Sequence, residues 1–410
     1  MGYVPSEVHL QRYAGLLVNY ALGGGAGIKR GDVVLLSCPD NAKPLYIELS
    51  RAVWSAGGHV LSGYQPSDEP GTSLLRTFFE LADDEQLDFF ADRYHRGIVD
   101  QVDHVLHVHS ETNPHATRGI DPQRILRTRR AQLPRIEWQQ EKELEGRLSW
   151  TIALYGTDAM AAEAGLTIEE YWGEVIAACF LDEPDPAVRW REVTTQIESF
   201  CTALNALEID RLHVEGADVD LWITLGERRL WLGGGGRNIP SFEVFTSPDW
   251  RGTEGRIRFS EPLYIYGSLI TGIELQFREG RVVSARADQN EALLTEMLAS
   301  EGADAVGEFS MTDARLSPIT RFMANTLFDE NTGGRYGNTH IAVGRSYRDT
   351  YDGDPSGVPP QEWDRLGFNQ SVVHTDIVST TDRTVTAVLR DGSERVIYAD
   401  GRFTVDGRAS

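Results

Sequence analysis

The hydrophobic pattern of the first part of the chain alternates between strand-like and helix-like segments. DVVLLSC, from Asp32, is a short apolar run, and in the following KPLYIELSRAVWSAGG the apolar residues recur every three or four positions. HVLSGY then returns to a strand-like pattern. This succession predicts a strand, a helix and a second strand, the unit from which parallel sheets are assembled.

Further segments continue this alternation. HVLHVHS, from His104, is typical of a buried strand, whereas AGLTIEEYWGEVIAACF and AVRWREVTTQIESFCTALNAL have the periodicity of amphipathic helices. The glycines of ALGGGAGIKRGD precede a strand instead of opening a helix after one, which argues against a dinucleotide-binding loop. We therefore expect residues 1–185 to form an α/β domain with a mostly parallel sheet.

The pattern changes after about residue 209, where short strands are separated by turn residues. RLHVEGADVDLWITLGERRLWLGGGG and EPLYIYGSLITGIELQFREGRVVSARAD show this pattern, and NEALLTEMLAS is a single helix-like segment among them. The DG turns of the C-terminal stretch TVTAVLRDGSERVIYADGRFTVDG predict hairpins. We expect residues 186–410 to form a mainly antiparallel β domain of the α+β type.

The amino-acid composition indicates which partners and which cellular compartment to expect. The 62 acidic and 39 basic residues give a formal net charge of −23, which repels nucleic acids and anionic membrane surfaces. Three widely spaced cysteines do not form a thiolate metal motif, and no apolar run reaches the roughly 18 residues of a membrane span. We expect a cytoplasmic protein without nucleic-acid or membrane partners.

Two polar residues interrupt an apolar, β-branched segment, VVHTDIV. His374 and Asp376 are two positions apart there, so both side chains project from the same face of a strand. An imidazole and a carboxylate on one face form a plausible metal-binding pair. A structural histidine that is hydrogen-bonded to its neighbour is an equally open interpretation of this segment.

Other donors of the same kind lie within about 130 residues of this pair. Glu330, His340 and Tyr347 flank the glycine-rich loop of NTLFDENTGGRYGNTHIAVGRSY, and Glu243 and Glu308 stand in NIPSFEVFTSP and GADAVGEFS. Each of these residues alone is more typical of a loop or surface. Taken together, the candidate ligands are Glu243, Glu308, Glu330, His340, His374 and Asp376. Carboxylates and imidazoles without a thiolate favour two divalent ions, Zn, Co or Mn, that activate a water for hydrolysis.

These segments resemble, in the same order, the aminopeptidases of peptidase family M29 over nearly the whole chain. The resemblance begins at RYAGLLVNYALG and GDVVLL and continues through NPHATRGIDP and AGLTIEEYWGEVIAACFLDEPDPAVRW. It is tightest at NIPSFEVFTSP, GEFS, LFDEN, HIAVGRSY and NQSVVHTD. The family implies a metal-dependent aminopeptidase that releases N-terminal amino acids from short peptides.

The resemblance also implies roles for particular residues. The six candidate ligands match the family's positions for two metal ions, and Tyr347 matches its active-site tyrosine. Glu308 then either bridges the ions or accepts a proton from the water, and Tyr347 donates a hydrogen bond to the tetrahedral oxyanion. A homodimer that encloses the active sites is a further expectation of the family. The loop between Glu330 and His340 is about five residues longer than the family spacing, which affects Glu330 most.

Two other functions are compatible with part of these residues. His340, His374 and Asp376 would suffice for the single iron of a ring-cleaving Fe(II) dioxygenase, which occurs among distant relatives of the fold. A non-catalytic peptide-binding relative is the second alternative. The histidines of HVLHVHS, which are His104, His107 and His109, offer another metal cluster, but no acidic partner has a fixed spacing from them, and we predict a structural role.

Overall fold

The structure, a computed structural model, describes residues 3–405 and divides the chain into two compact units. The first unit runs to Glu192 and includes the short segment Gly235–Ser241. The second comprises Val193–Gly234 and the chain from Phe242 onward. From the sequence we predict two folding domains, residues 1–185 and 186–410. These domain limits remain a prediction.

The first unit contains a parallel sheet and a series of helices. Its strands are β1 (Val33–Pro39), β2 (His59–Gln65), β3 (His104–His109) and β4 (Ser149–Leu154). They lie in the order β2-β1-β3-β4, and every neighbouring pair is parallel. Its helices are α1 (Glu7–Leu16), α2 (Lys43–Ser55), α3 (Leu74–Leu81), α4 (Asp84–Leu87), α5 (Asp92–Gln101), α6 (Pro122–Ala131), α7 (Leu133–Leu144), α8 (Asp158–Glu163) and α9 (Ile168–Ala178), with a π-helical turn at Leu17–Ala21 and a 3-10 turn at Asp40–Ala42. The α/β prediction for this part of the chain is confirmed.

Two buried polar side chains of the first unit, His104 and Lys142, have internal partners. His104 lies between Asp32 Oδ2, at 2.9 Å from Nε2, and Ser149 Oγ, at 2.7 Å from Nδ1. The buried ammonium of Lys142 donates to the carbonyls of Val99 and Val102, at 2.8 and 2.6 Å. These groups therefore stabilise the unit without a ligand, because each hydrogen bond that burial removes from water is replaced.

The second unit consists mainly of antiparallel strands. The division between the units falls within α10 (Pro186–Asn205), and α11 (Glu291–Leu298), α12 (Thr326–Asp329) and α13 (Pro360–Arg365) follow, with 3-10 turns at Trp250–Gly252, Arg348–Thr350 and Pro355–Gly357. The strands are β5 (Ile209–Gly216), β6 (Val219–Thr224), β7 (Leu232–Gly233), β8 (Glu243–Thr246), β9 (Glu254–Arg258), β10 (Leu263–Ile265), β11 (Ser268–Ile270), β12 (Glu274–Arg278), β13 (Arg281–Arg286), β14 (Val306–Thr312), β15 (Asn338–Gly344), β16 (His374–Ser379), β17 (Arg383–Leu389), β18 (Glu394–Ala399) and β19 (Arg402–Phe403).

These strands form two large sheets and one small one. The larger sheet has the order β13-β12-β9-β6-β5-β17-β18-β19, the smaller has the order β16-β15-β14-β8-β7, and β10 pairs with β11. Neighbouring strands are antiparallel in each of them. This confirms the mainly antiparallel second part, with its single helix-like segment forming α11.

The five-stranded sheet has an unusual interior. Its inner strands β14 and β15 are buried at every residue, although they contain Glu308, Ser310, Asn338 and His340. Ionisable groups are rarely buried without partners, because removing a charge from water costs free energy. The centre of this sheet is therefore the place to look for chemistry. Among residues 3–405, no helix has the length and apolarity needed to cross a membrane.

Candidate metal centre

Five of the six candidate ligands lie on neighbouring strands of the five-stranded sheet. Glu308 of β14 lies opposite Ala342 of β15, which in turn lies opposite Asp376 of β16. His340 is two residues from Ala342, and His374 is two residues from Asp376, so alternation brings all four side chains to the same face. Glu243 of β8 pairs with Thr312, which has the same parity as Glu308, and therefore joins this face.

The imidazole of His340 stands at the centre of the cluster. Its Nε2 lies 3.3 Å from Glu243 Oε2, 3.4 Å from Glu308 Oε1 and 4.0 Å from Asp376 Oδ1. Glu243, Glu308 and His340 are all buried, and one ligand atom of each lies within 4.8 Å of the others. Despite these short distances, Nε2 has no aligned hydrogen bond to any described residue.

Asn338 determines which nitrogen of His340 carries a proton. The amide nitrogen of Asn338 donates to the carbonyls of Glu330 and Thr332, at 2.9 and 2.7 Å. Its Oδ1 therefore faces Nδ1 of His340, at 3.3 Å, and can only accept a hydrogen bond. In the neutral ring the proton lies on Nδ1, and the lone pair of Nε2 is directed into the group of carboxylates.

His374 is oriented in the same way by a backbone carbonyl. Its Nδ1 donates to the carbonyl of Arg345 at 2.7 Å, so the neutral ring presents a lone pair on Nε2. Nε2 lies 3.6 Å from Asp376 Oδ1 and 3.9 Å from Glu308 Oε2. The two carboxylate oxygens of Glu308 thus face different imidazoles, Oε1 toward His340 and Oε2 toward His374.

Glu330 reaches the cluster from a loop. It follows α12 directly and is buried, and the side-chain amide of Asn331 lies 3.4 Å from its Oε1. Burial raises the pKa of Glu330 well above its ordinary value, and the nearby charges of Asp376 and Glu243 raise it further. The carboxylates of Asp376 and Glu243 are therefore close enough to Glu330 to act on it electrostatically.

The carboxylates perturb one another strongly. Burial raises the pKa of Glu308 to about 8, and the charges of Glu243 and Asp376 add to this rise. Burial opposes protonation of His340, but the nearby carboxylates of Glu243 and Glu308 outweigh it and hold the pKa of the imidazole well above its ordinary value. Such mutual perturbation is typical of functional sites, where like charges are held together.

The donor set fits divalent cations. Three carboxylates, those of Glu243, Glu308 and Asp376, face two imidazoles. The Nδ1 atoms of these imidazoles contact Asn338 and the Arg345 carbonyl, which leaves both Nε2 atoms facing the carboxylates. Metal-ligating histidines characteristically have their second nitrogen bonded in this manner. The buried Nε2 of His340 has no hydrogen-bond partner among the described residues, so its lone pair is available to a cation.

Tyr347 lies beside these groups. Its ring packs edge-to-face against His374, with centroids 4.7 Å apart, and its backbone amide donates to Ser247 Oγ at 2.8 Å. Removal from water raises the pKa of Tyr347 well above its ordinary value, and the charges of Glu308 and Asp376 raise it further. The phenol therefore keeps its proton at neutral pH and remains a hydrogen-bond donor.

Several supporting residues did not enter the sequence-based prediction. Ser310 donates to Glu243 Oε2 at 3.0 Å, and Asn331, besides its contact with Glu330, accepts from the amide of Phe242. Asn338 is two positions from His340, a spacing that indicates a shared strand face and could have identified it. Ser310 and Asn331 depend on contacts between distant segments, which no local spacing reveals.

Comparison with known proteins agrees with this site. Residues 6–403 match the sequence model of the thermophilic metalloproteases (M29). Aminopeptidase T of Thermus thermophilus is 29% identical over 95% of this chain and 98% of its own length. Aminopeptidase T of Thermus aquaticus is 32% identical over 72% of this chain and 75% of its own. Aminopeptidase 2 of Geobacillus stearothermophilus is 26% identical over 98% of each.

A solved structure extends the likeness to the fold. Wild-type AmpT from Thermus thermophilus superposes with a TM-score of 0.80 and 27% identity, covering 97% of this chain and 99% of that one. With these relatives, the dioxygenase and non-catalytic alternatives are not favoured. The chain belongs to the thermophilic metalloprotease family M29 and is a metal-dependent aminopeptidase.

Proposed function

We propose that Glu243, Glu308, Glu330, His340, His374 and Asp376 hold two divalent ions, Zn, Co or Mn, at which peptides lose their N-terminal residue. The observation that carries the proposal is the orphaned Nε2 of His340 among three carboxylate oxygens. Six donors exceed the number that one tetrahedral ion requires, which supports a pair. Divalent ions in such a site supply an activated water and polarise the scissile carbonyl.

Glu308 is the proposed proton acceptor for the attacking water. It is nearly fully buried, and its two oxygens face the two imidazoles separately. A carboxylate at that position is within reach of both halves of the site. Burial and the neighbouring carboxylates raise its pKa, so the protonated form that results from accepting a proton is favoured by the surroundings.

Tyr347 is the proposed donor to the tetrahedral oxyanion. Its phenol keeps its proton, and contact with the ring of His374 places it at the edge of the cluster. A donor that is held before the reaction needs little rearrangement when charge develops on the substrate. The backbone hydrogen bond to Ser247 anchors the segment that carries the ring.

The remaining proposals follow the family resemblance. The substrates are short peptides, and the protein is a homodimer in the cytoplasm. The three cysteines are free and buried, which agrees with a reducing compartment. Sedimentation velocity of the purified protein tests the proposed homodimer independently of the catalytic activity. A monomer at micromolar concentration would contradict the proposal.

Metal analysis together with hydrolysis of amino-acid p-nitroanilides tests the central proposal. We expect two divalent ions per chain, loss of cleavage after chelation, and recovery when Zn, Co or Mn is added. Glu243→Gln should lower metal content, because it removes a charged oxygen that faces His340. A single bound iron with oxygen uptake on catechol-like rings would overturn the proposal, and so would cleavage that resists complete chelation.

A further inference from the structure

Arg345 is a charged residue of the site region that takes no part in the proposed metal chemistry. It follows β15 directly and lies two residues before Tyr347. Its backbone is fixed on both sides, because its amide donates to the carbonyl of Val373 and its carbonyl accepts from His374 Nδ1, each at 2.7 Å. The position of its side chain is therefore tied to that of a proposed metal ligand.

Within the described part of the chain, no residue pairs with the guanidinium of Arg345. The residue is partly buried, its Nε is shielded from solvent without a hydrogen bond, and the side chain forms no ion pair with any residue in the range 3–405. This is notable beside four carboxylates, since an arginine near acidic groups ordinarily pairs with one of them. The carboxylates of the cluster face the imidazoles instead.

A second arginine of the same unit shows what a purely structural role requires. Arg229 is partly buried as well, and its three nitrogens donate to the carbonyls of Ser247, Glu227 and Leu366, each at 2.6 Å. Its guanidinium therefore contributes to stability through complete pairing. The guanidinium of Arg345 has no such hydrogen bonds to backbone carbonyls among the described residues, although leaving a partly buried charge unpaired costs free energy.

Burial and charge relate the Arg345 side chain to Tyr347. Both residues are partly buried, whereas the intervening Ser346 is buried and accepts a hydrogen bond from the amide of Asn369. The positive charge of Arg345 also acts on the Tyr347 phenol, where it opposes the carboxylates and lowers the pKa. The guanidinium is thus within electrostatic reach of the proposed oxyanion donor.

We propose that Arg345 binds a carboxylate of the substrate and gives the enzyme a preference for acidic substrates. The proposal rests on the aminopeptidase function. Guanidinium and carboxylate match in geometry and form paired, charge-assisted hydrogen bonds. Two substrate groups have this chemistry, namely the side chain of an N-terminal Glu or Asp and the free C-terminus of a dipeptide.

Two substrate pairs distinguish these sources. Glu-p-nitroanilide against Gln-p-nitroanilide tests the side chain, and Leu-Gly against Leu-Gly-amide tests the C-terminus. For one of the pairs, we expect the metal-loaded wild-type enzyme to have the higher kcat/KM on the carboxylate substrate. Arg345→Met should lower that ratio by about 10- to 100-fold, mainly through KM, as expected for one charge-assisted interaction. Arg345→Lys should lower it less.

The controls separate this proposal from global effects and from the function itself. Arg278→Met removes the same charge from an exposed site on β12 and should leave both ratios unchanged. If Arg345→Met does not fold, Arg345→Lys is compared with wild type, because it keeps the charge and loses the planar fork. Equal ratios in wild type and the Arg345 variants would overturn the proposal. Failure of the wild type to cleave neutral Leu-p-nitroanilide in a chelator-sensitive way would instead overturn the aminopeptidase function.

Discussion

Two buried histidines, one in each unit, show how the same side chain serves structure or chemistry. His104 of β3 has a partner for each ring nitrogen, Asp32 on one side and Ser149 on the other. His340 of β15 has Asn338 on one side and three carboxylate oxygens without an aligned hydrogen bond on the other. Each lies on a strand and is preceded by a polar residue and followed by an apolar one, so their local sequences do not distinguish them.

The two histidines differ in whether their surroundings provide a hydrogen-bond partner for every polar atom. The surroundings of His104 are complete, and the imidazole contributes to folding without a ligand. The surroundings of His340 accumulate negative charge, which is unfavourable unless a cation neutralises it. A buried polar group therefore indicates function only when its partners repel one another or leave an atom unpaired. Substitutions around His340 should therefore change catalysis or metal binding, whereas substitutions around His104 should change only stability.

Glu308→Gln should have the largest effect. The substitution keeps the shape of the side chain and removes the proton acceptor, so we expect kcat to fall by about 10²- to 10⁴-fold. The fold should persist, because a buried charge is removed. The measurement is kcat on Leu-p-nitroanilide with circular dichroism and metal content on the same sample. Wild-type kcat in a variant that is fully loaded with metal would contradict the role of Glu308.

Tyr347→Phe should lower kcat by about 10²- to 10³-fold with a small change in KM, since it removes a donor that acts mainly in the transition state. The ring contact with His374 is retained in Phe, so metal content should not change. Steady-state kinetics together with metal analysis separate these quantities. A change that is confined to KM would assign Tyr347 to substrate binding instead of oxyanion stabilisation.

Asn338→Leu tests the orientation of His340. The substitution removes the acceptor for Nδ1 and the donors to the Glu330 and Thr332 carbonyls, so metal affinity should fall by about 10- to 100-fold. Asn205→Leu is the matched control in the same unit, because among the described residues the side chain of Asn205 bonds to the backbone of Trp231 alone. Competition with a chromophoric chelator measures both affinities. Equal affinities would show that Asn338 is structural.

His104→Gln should affect stability and leave catalysis unchanged. One amide cannot reproduce both hydrogen bonds of the imidazole, so we expect a loss of about 1–3 kcal/mol in the free energy of unfolding. Urea denaturation measures this loss, and kcat/KM per folded molecule should equal the wild-type value. Reduced metal content in this variant would break the comparison, because it would link the first unit to the metal site.

His109, on the same strand as His104, should produce the smallest effect, as a pH dependence of stability. Burial lowers its pKa to about 4, and the neighbouring His107 adds to this shift. The unfolded chain therefore binds a proton below about pH 6.5, while the folded chain resists it down to about pH 4. The contribution of His109 to stability should be complete above pH 6.5 and decline between these values. His109→Gln should flatten the unfolding free energy in that window, and an unchanged slope would contradict the assignment.

Local hydrophobic and turn patterns in the sequence predict much of the architecture. The change from strand–helix alternation to short strands with turns predicted a parallel sheet followed by antiparallel sheets, and both are observed. The segment VVHTDIV predicted a shared face for His374 and Asp376, and β16 provides it. These predictions succeed because the hydrophobic periodicity of a helix or strand, and the residues that favour a turn, are properties of a few neighbouring residues and depend little on the rest of the chain.

Local sequence patterns fix the secondary-structure elements, the residue types of the candidate site and the family they resemble. Strand pairing in the folded chain is what brings Glu243, Glu308 and His340 to one face, since these residues lie up to about 100 positions apart. The same holds for Asn338 against His340 and for the unpaired guanidinium of Arg345. Whether a polar group is satisfied depends on every neighbour that packing brings to it, and this information is present only in the folded chain.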